Sequence, residues 1–312
     1  MDLAQALRNA RPNETIRLPA GRYTGAFLIE KPVTLLAVGQ VVLDALHAGT
    51  VLRVECPEGT VRVSGCMIVG GNAPDAGGGV CLVAGNLELT DCTLRFNKAP
   101  LYGGGGLAVL DGKALAQRCR FEANTGRQGG AILVDGVGEL RLEDCAVLQN
   151  AAVEGGGLRV KEGAKAELFA CTLADNKVVG EGSQGGAIHL SGTTTRAPTV
   201  SLSHCIVSER AKGPACIANG PKLPGTLSFT RTLLPEWCRD LGSPGPFGPA
   251  GFTMTGTEPY LLTEASPAVG AGDASAFAAG SRDLLGRPRV RQGKVDLGAF
   301  AFSGGGSGGV GY

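Results

Sequence analysis

Apolar and polar positions alternate at period two along this chain, in short runs interrupted by glycine and asparagine, and the runs recur. Six cysteines mark the recurrence: Cys66, Cys92, Cys119, Cys145, Cys171 and Cys205, separated by 26, 27, 26, 26 and 34 residues. Three and five residues before each stand Val61/Val63, Leu87/Leu89, Ala114/Ala116, Leu140/Leu142, Ala166/Leu168 and Val200/Leu202. Two residues after stand Ile68, Leu94, Phe121, Val147, Leu173 and Val207, and five after stand Gly71, Asn97, Asn124, Asn150, Asn176 and Arg210. A glycine cluster follows in each unit, then a second alternating run: Val80/Leu82, Leu107/Val109, Ile132/Val134, Leu158/Val160 and Ile188/Leu190. Period-two runs broken by glycine mean short strands joined by tight bends, and a fixed period of this size means a solenoid. A helical repeat would not tolerate a glycine pair in every unit.

Three apolar rows per unit close most economically as an all-β, single-stranded right-handed parallel β-helix, with three short strands per coil. Equivalent residues then stack at about 4.8 Å. The asparagine row is expected to form an amide column at a bend, where asparagine also tolerates left-handed backbone. The cysteine row is expected to be a column of buried free thiols, because parallel in-register thiols point the same way and miss disulfide geometry. No close C-x-x-C pair suggests a zinc site, so neither a metal nor a cofactor is expected.

The ends read differently. Asp2 suits the N-cap of a short helix Leu3–Asn9 whose apolar face (Leu3, Ala6, Leu7, Ala10) would lie on the first coil. The expected organisation is an N-terminal cap and first strand over 1–30, coils over 31–240, an irregular C-terminal cap over 241–302 and a flexible glycine-rich tail over 303–312. In the cap, Asp283, Arg287, Arg289 and Asp296 suit a local ion-pair cluster.

Phe121-Glu-Ala-Asn124 followed by Gly129-Gly-Ala-Ile132, together with Gly185-Gly-Ala-Ile188, resembles the FxxN and GGA[ILV] repeats of polymorphic outer-membrane proteins. That resemblance implies a pectin-lyase-like β-helix displaying a surface for adhesion or docking. The segments Ser266–Asp273, Asp283–Arg289 and Val295–Phe300 resemble the C-terminal part of choice-of-anchor β-helix proteins.

Composition narrows the functions. Of 312 residues, 43% are hydrophobic and 18% charged, enough for a core, and a net charge of +1 gives no footprint for nucleic acid. No apolar run reaches the ~18 residues of a membrane span, and Met1–Gln5 has no basic signal-peptide start. A cytoplasmic protein is expected, or a surface or extracellular one if exported by a non-classical route.

Enzymes on this fold crowd carboxylates or basic residues on one outer face. Here the outward rows alternate in sign: Asp91–Arg118–Asp144, Arg62–Glu88, Arg141–Glu167 and Arg95–Glu122. Such pairs stabilise neighbouring strands rather than perturb a pKa. The exception is Asp175 and Glu209, which share a row, with His204 nearby; these are the catalytic candidates. Tyr102, Arg127, Glu154, Lys177, Glu181, Gln184 and His189, on loops and outward positions beside the glycine clusters, are the binding candidates. The preferred expectation is a non-catalytic scaffold presenting a face or loops to a protein partner. The alternatives are a polysaccharide lyase, hydrolase or epimerase acting on a uronic-acid polymer, or a structural spike of a larger assembly.

Overall fold

A computed structural model describes residues 1–180, 183–192, 195–209, 216–220, 223–242, 245–255 and 258–302. Helix α1 (Leu3–Asn9) opens the chain. Asp2 Oδ1 accepts from the Gln5 amide at 3.0 Å, satisfying one of the free N–H groups of the first turn. Lys31 Nζ meets the other end, donating to the Arg8 and Ala10 carbonyls at 2.9 and 3.2 Å. Leu3 and Leu7 are buried in the same apolar cluster as Phe27 and Ile29, so the helix covers the first coil.

The chain then winds as a right-handed parallel β-helix. The register follows the sequence period. Phe121 pairs with Leu94 on one side and Val147 on the other, Leu140 with Ala114 and Ala166, and Ile132 with Leu107 and Leu158. The inward positions are almost wholly dry, and each fully buried Leu or Ile contributes about 1.5–3 kcal/mol. A fourth, shorter row joins the three expected: Lys98–Gly103, Thr125–Gln128, Ala151–Ala152 and Lys177–Val178 pair in parallel as a separate sheet. The glycine clusters lie at the following bend because coils touch there. A Cβ on Gly130 would sit 2.3 Å from the Gly156 carbonyl oxygen, and Gly129 has φ 66°.

Two corners of each coil share one device, a left-handed residue followed by a buried polar or thiol side chain. Phe96, Ala123, Gln149 and Asp175 have φ of 56°, 50°, 57° and 54°. The left-handed residue therefore precedes the asparagine, and the expectation that asparagine itself takes that conformation is corrected. Asparagine is needed for its amide. Asn97, Asn124 and Asn150 donate through Nδ2 to the Oδ1 of the next asparagine at 3.1, 3.0 and 2.9 Å. The same Oδ1 atoms accept the backbone N–H of the preceding one at 3.0, 2.9 and 3.1 Å. At the other corner stand Cys66, Cys92, Cys119, Cys145, Cys171 and Cys205, and all ten cysteines of the chain are free and buried. The Cys145 thiol donates to the Ala116 and Glu143 carbonyls at 3.3 and 3.2 Å. Thr232 takes the equivalent place in the last coil, its hydroxyl donating to the Leu202 and Thr230 carbonyls at 3.3 and 3.1 Å. Burial pushes the Cys66 thiol up to about 12 and also raises Cys145 and Cys205.

The C-terminal region departs from a simple end cap. The turn Glu236–Leu241 closes the core's last coil through Leu234 and buried Cys238. Beyond it the chain runs back along the flank, covering the outward positions of Ala146–Leu148, Thr172–Ala174 and Ile206–Ser208 with Tyr260, Leu297, Ala299 and Phe300. Ala146, Leu148, Ala174 and Ile206 put apolar side chains on the outward face as well, which is the physical reason the flank needs a cover. The ion pairs of this segment are correspondingly not all local. Asp283 holds Arg287 and Asp296 holds Arg291, but Arg289, fully buried, bonds Asp144 on the coils, with Nε at 2.7 Å.

Candidate functional site

The strands that follow the glycine clusters carry an outward middle position: Cys81, Ala108, Leu133, Arg159 and His189, all buried. Over the first coils this row is apolar and packs with Ala76. Over the next two it turns polar, and the residues that end the fourth row, Gln128, Glu154 and Gln184, stack beside it. The next position along each strand adds Asp135 and Lys161. Together these side chains form a polar strip between the two rows, called the groove below.

Its outer end is Tyr102. The Tyr102 hydroxyl donates to Asp135 Oδ2. Lys161 Nζ lies 3.5 Å from that hydroxyl, 3.4 Å from Asp135 Oδ2, 3.4 Å from Gln128 Oε1 and 5.1 Å from the Tyr102 ring centroid. Burial and then the bond to Asp135 push the Tyr102 hydroxyl up to about 12, so it carries its proton at neutral pH. Tyr102 is 39% exposed, which leaves this end open to solvent. Gln128 Nε2 continues inward to Glu154 Oε2 at 3.3 Å. Glu154 Oε2 in turn faces Arg159 Nε at 3.2 Å, and Arg159 Nη2 donates to Ser191 Oγ at 2.7 Å. His189 Nδ1 lies 3.8 Å from Glu154, yet burial and the Arg159 charge push the imidazole down to about 4. It is neutral, so the contact is not an ion pair.

Tyr102, Glu154, Gln184 and His189 of the binding candidates therefore share one groove. Arg127 and Lys177 lie on the fourth row with exposed side chains, and Glu181 lies outside the described residues. Gln128, Asp135, Arg159 and Lys161 were not anticipated. A signal existed: Asp135 and Lys161 follow equivalent strands one coil apart, an opposite-charge pair in a row that the cysteine-centred alignment did not reach.

The three catalytic candidates separate. His204 is buried between Phe169 and Phe277, at ring centroid distances of 5.4 and 5.3 Å, and its Nε2 accepts the Asp273 amide at 3.1 Å. It anchors the flanking segment and has no role beside the carboxylates. Asp175 accepts from the Tyr260 hydroxyl at 2.7 Å. Glu209 does not stand outward in Asp175's row as expected. Its carboxyl turns inward and accepts from the Asn176 side chain and backbone, closing the asparagine column where the alignment had put Arg210. Burial, with Asp175 nearby, pushes Glu209 up to about 9. The outward charge rows mostly pair as expected, Arg62–Glu88 at 2.8 Å, Arg118–Asp91 at 2.7 Å and Arg141–Glu167 at 3.1 Å, while Arg120 meets Glu122 and Arg289 takes Asp144. No helix among the described residues is long and apolar enough to cross a membrane.

Fold and groove together define a parallel β-helix with a polar cluster on one outer face. No protein-family model and no curated protein matches the sequence. Among solved structures the chain is similar to an alginate lyase from Paenibacillus sp. str. FPU-7, with 14% identity and a TM-score of 0.50 over 74% of this chain and 95% of that one. At that identity the likeness speaks for the fold.

Proposed function

We propose that this β-helix binds an acidic polysaccharide along the groove and cleaves it by β-elimination beside Tyr102. The observation that carries the reading is the juxtaposition, open to solvent at Tyr102, of a protonated phenol, an ammonium and a carboxylate, Tyr102, Lys161 and Asp135, within 3.5 Å of one another. Eliminating a glycosidic oxygen next to a uronate needs three things: a cation against the sugar carboxylate, an acceptor for the proton α to it and a donor for the leaving oxygen. Lys161 supplies the cation. Asp135 takes the α proton as its electron pair forms the C4–C5 double bond. Tyr102 gives its proton to the departing oxygen and regains one from Asp135 through their hydrogen bond. The alginate lyase is consistent with this chemistry on such a scaffold.

Incubation with alginate, polygalacturonate and hyaluronan should release unsaturated ends, read by ultraviolet absorbance. Tyr102→Phe and Lys161→Ala should each lower the rate by about 10²-fold or more. No unsaturated product from any of them removes the catalytic reading. A second reading, recognition without turnover, draws on the charge balance of the groove, where Glu154 faces Arg159 and Asp135 faces Lys161. It expects retarded migration through polysaccharide gels, lost in Lys161→Ala, with no unsaturated product.

A further inference from the structure

The strands that follow the groove strands carry a second column of outward side chains. Register pairs it from coil to coil as Arg62, Glu88, Leu115, Arg141 and Glu167. The charges mirror one another with opposite sign about Leu115: Glu88 on one side answers Arg141 on the other, and Arg62 answers Glu167. One coil further out each end carries a hydroxyl, Thr34 and Ser201. The face is bare, its four charged side chains between 39 and 62% exposed, with Leu115 half-buried at the centre. In-chain ion pairs account for neighbouring charges, but not for an order that reverses sign about one apolar residue.

We infer that this face docks on the same face of a second copy of the chain, about a two-fold axis that passes through Leu115 along the strand direction. That rotation reverses the order of the coils and keeps each column on itself. Leu115 then meets Leu115, Glu88 meets Arg141 of the second copy, and Arg62 meets its Glu167. The flanking columns agree. Asn86 meets Glu139 and Thr60 meets Lys165 on one side, while Thr90 meets Glu143 on the other. Lys113 falls opposite its own equivalent, but Glu139 at 3.0 Å draws its ammonium one coil off the axis. Neighbouring arrangements fail: a centre between Leu115 and Arg141 sets Glu88 on Glu167, and a two-fold along the solenoid axis sets every charge on itself. Five coils of five-residue strands make a patch of roughly 25 by 20 Å, so two copies bury roughly 1,000 Å², the size of a weak, reversible dimer.

Sedimentation of the full-length protein reads association without any substrate, so its outcome is independent of the catalytic reading. Between about 5 and 500 µM protein the mean mass should climb from one chain toward two, and high salt should reverse the climb. Glu88→Arg and Arg141→Glu each set like charges across the axis, and each alone should weaken the dimer by about tenfold or more. An equimolar mixture of the two should dimerise again, because every reversed charge then faces an opposite one on the other chain. Leu115→Glu sets carboxylate on carboxylate at the axis without removing an ion pair, and it should also sediment as one chain. Circular dichroism melts establish that each variant is folded before mixing. One chain at every concentration, a dimer indifferent to all three substitutions, or no recovery in a mixture of the two folded reversals overturns the inference.

Discussion

Replacing Asn150 with leucine tests the interior logic of the coils. Asn150 is fully buried; its Nδ2 donates to the Phe121 carbonyl and Asn176 Oδ1, both at 2.9 Å. Its Oδ1 accepts from Asn124 N and Nδ2 at 2.9 and 3.0 Å. Leucine has similar bulk, so a cavity is not the issue. The Asn124 backbone N–H loses its acceptor inside the core, at about 1–3 kcal/mol, and the bonds to Phe121 and Asn176 are lost at about 1 kcal/mol each. Added apolar burial offsets part, leaving a cost of about 2–4 kcal/mol. The comparison variant is Arg62→Ala, which breaks an inter-coil ion pair of half-exposed groups and should cost less than about 1 kcal/mol. Urea unfolding followed by circular dichroism measures both, provided the slopes agree and unfolding stays cooperative along the repeats. Equal midpoints for the two variants at equal slope would refute the claim that the amide column holds the coils in register.

Other expectations follow from buried charges and thiols. Arg289→Ala strips Asp144 of its buried partner and should cost about 3–5 kcal/mol, loosening the flanking segment so that limited proteolysis cuts within 245–302 first. Glu209 binds in the fold a proton that the unfolded chain has released above its ordinary 4.5. Its contribution is therefore present below that pH and declines as pH climbs toward about 9, at no more than about 1.4 kcal/mol per pH unit; Glu209→Gln should flatten this alkaline slope in melts across pH. His189, held neutral down to about 4, acts in the other direction: its stability is present above 6.5 and is lost as pH falls, so His189→Gln should reduce acid sensitivity. A thiol reagent should label none of the ten cysteines in the native protein and all ten in denaturant.

The coils were legible because burial imposes a strict period on them. Inward residues such as Leu140 and Phe121 have no alternative environment, so their spacing is the fold. The flank was less legible. Ala174, which alignment puts on an outward row, is buried beneath Tyr260, and His204 looked like an acid–base candidate until Phe277 covered it. Both covers come from residues more than 70 positions away with no period of their own. Ala146-Val-Leu148 and Thr172-Leu-Ala174 did carry a warning, since neither alternates as a solvated strand must. Glu209 escaped for another reason: the strand before it keeps the register of Thr172–Ala174, so Glu209 falls in Asp175's place, and a period read from the cysteines cannot see that its carboxyl turns inward to Asn176. The groove was half visible. Tyr102 and His189 stand out by type, whereas Lys161 and Asp135 acquire meaning only when coils are stacked.

A crystal structure of the protein soaked with an acidic tetrasaccharide, as the Tyr102→Phe variant to hold the chain intact, tests the functional reading most directly. The expected result is a sugar chain lying in the groove, with one carboxylate within hydrogen-bond distance of Lys161 Nζ and a glycosidic oxygen facing the place that the Tyr102 hydroxyl occupies in the unsubstituted protein. A sugar bound elsewhere with this groove vacant, or one whose carboxylates all point away from Lys161, contradicts it.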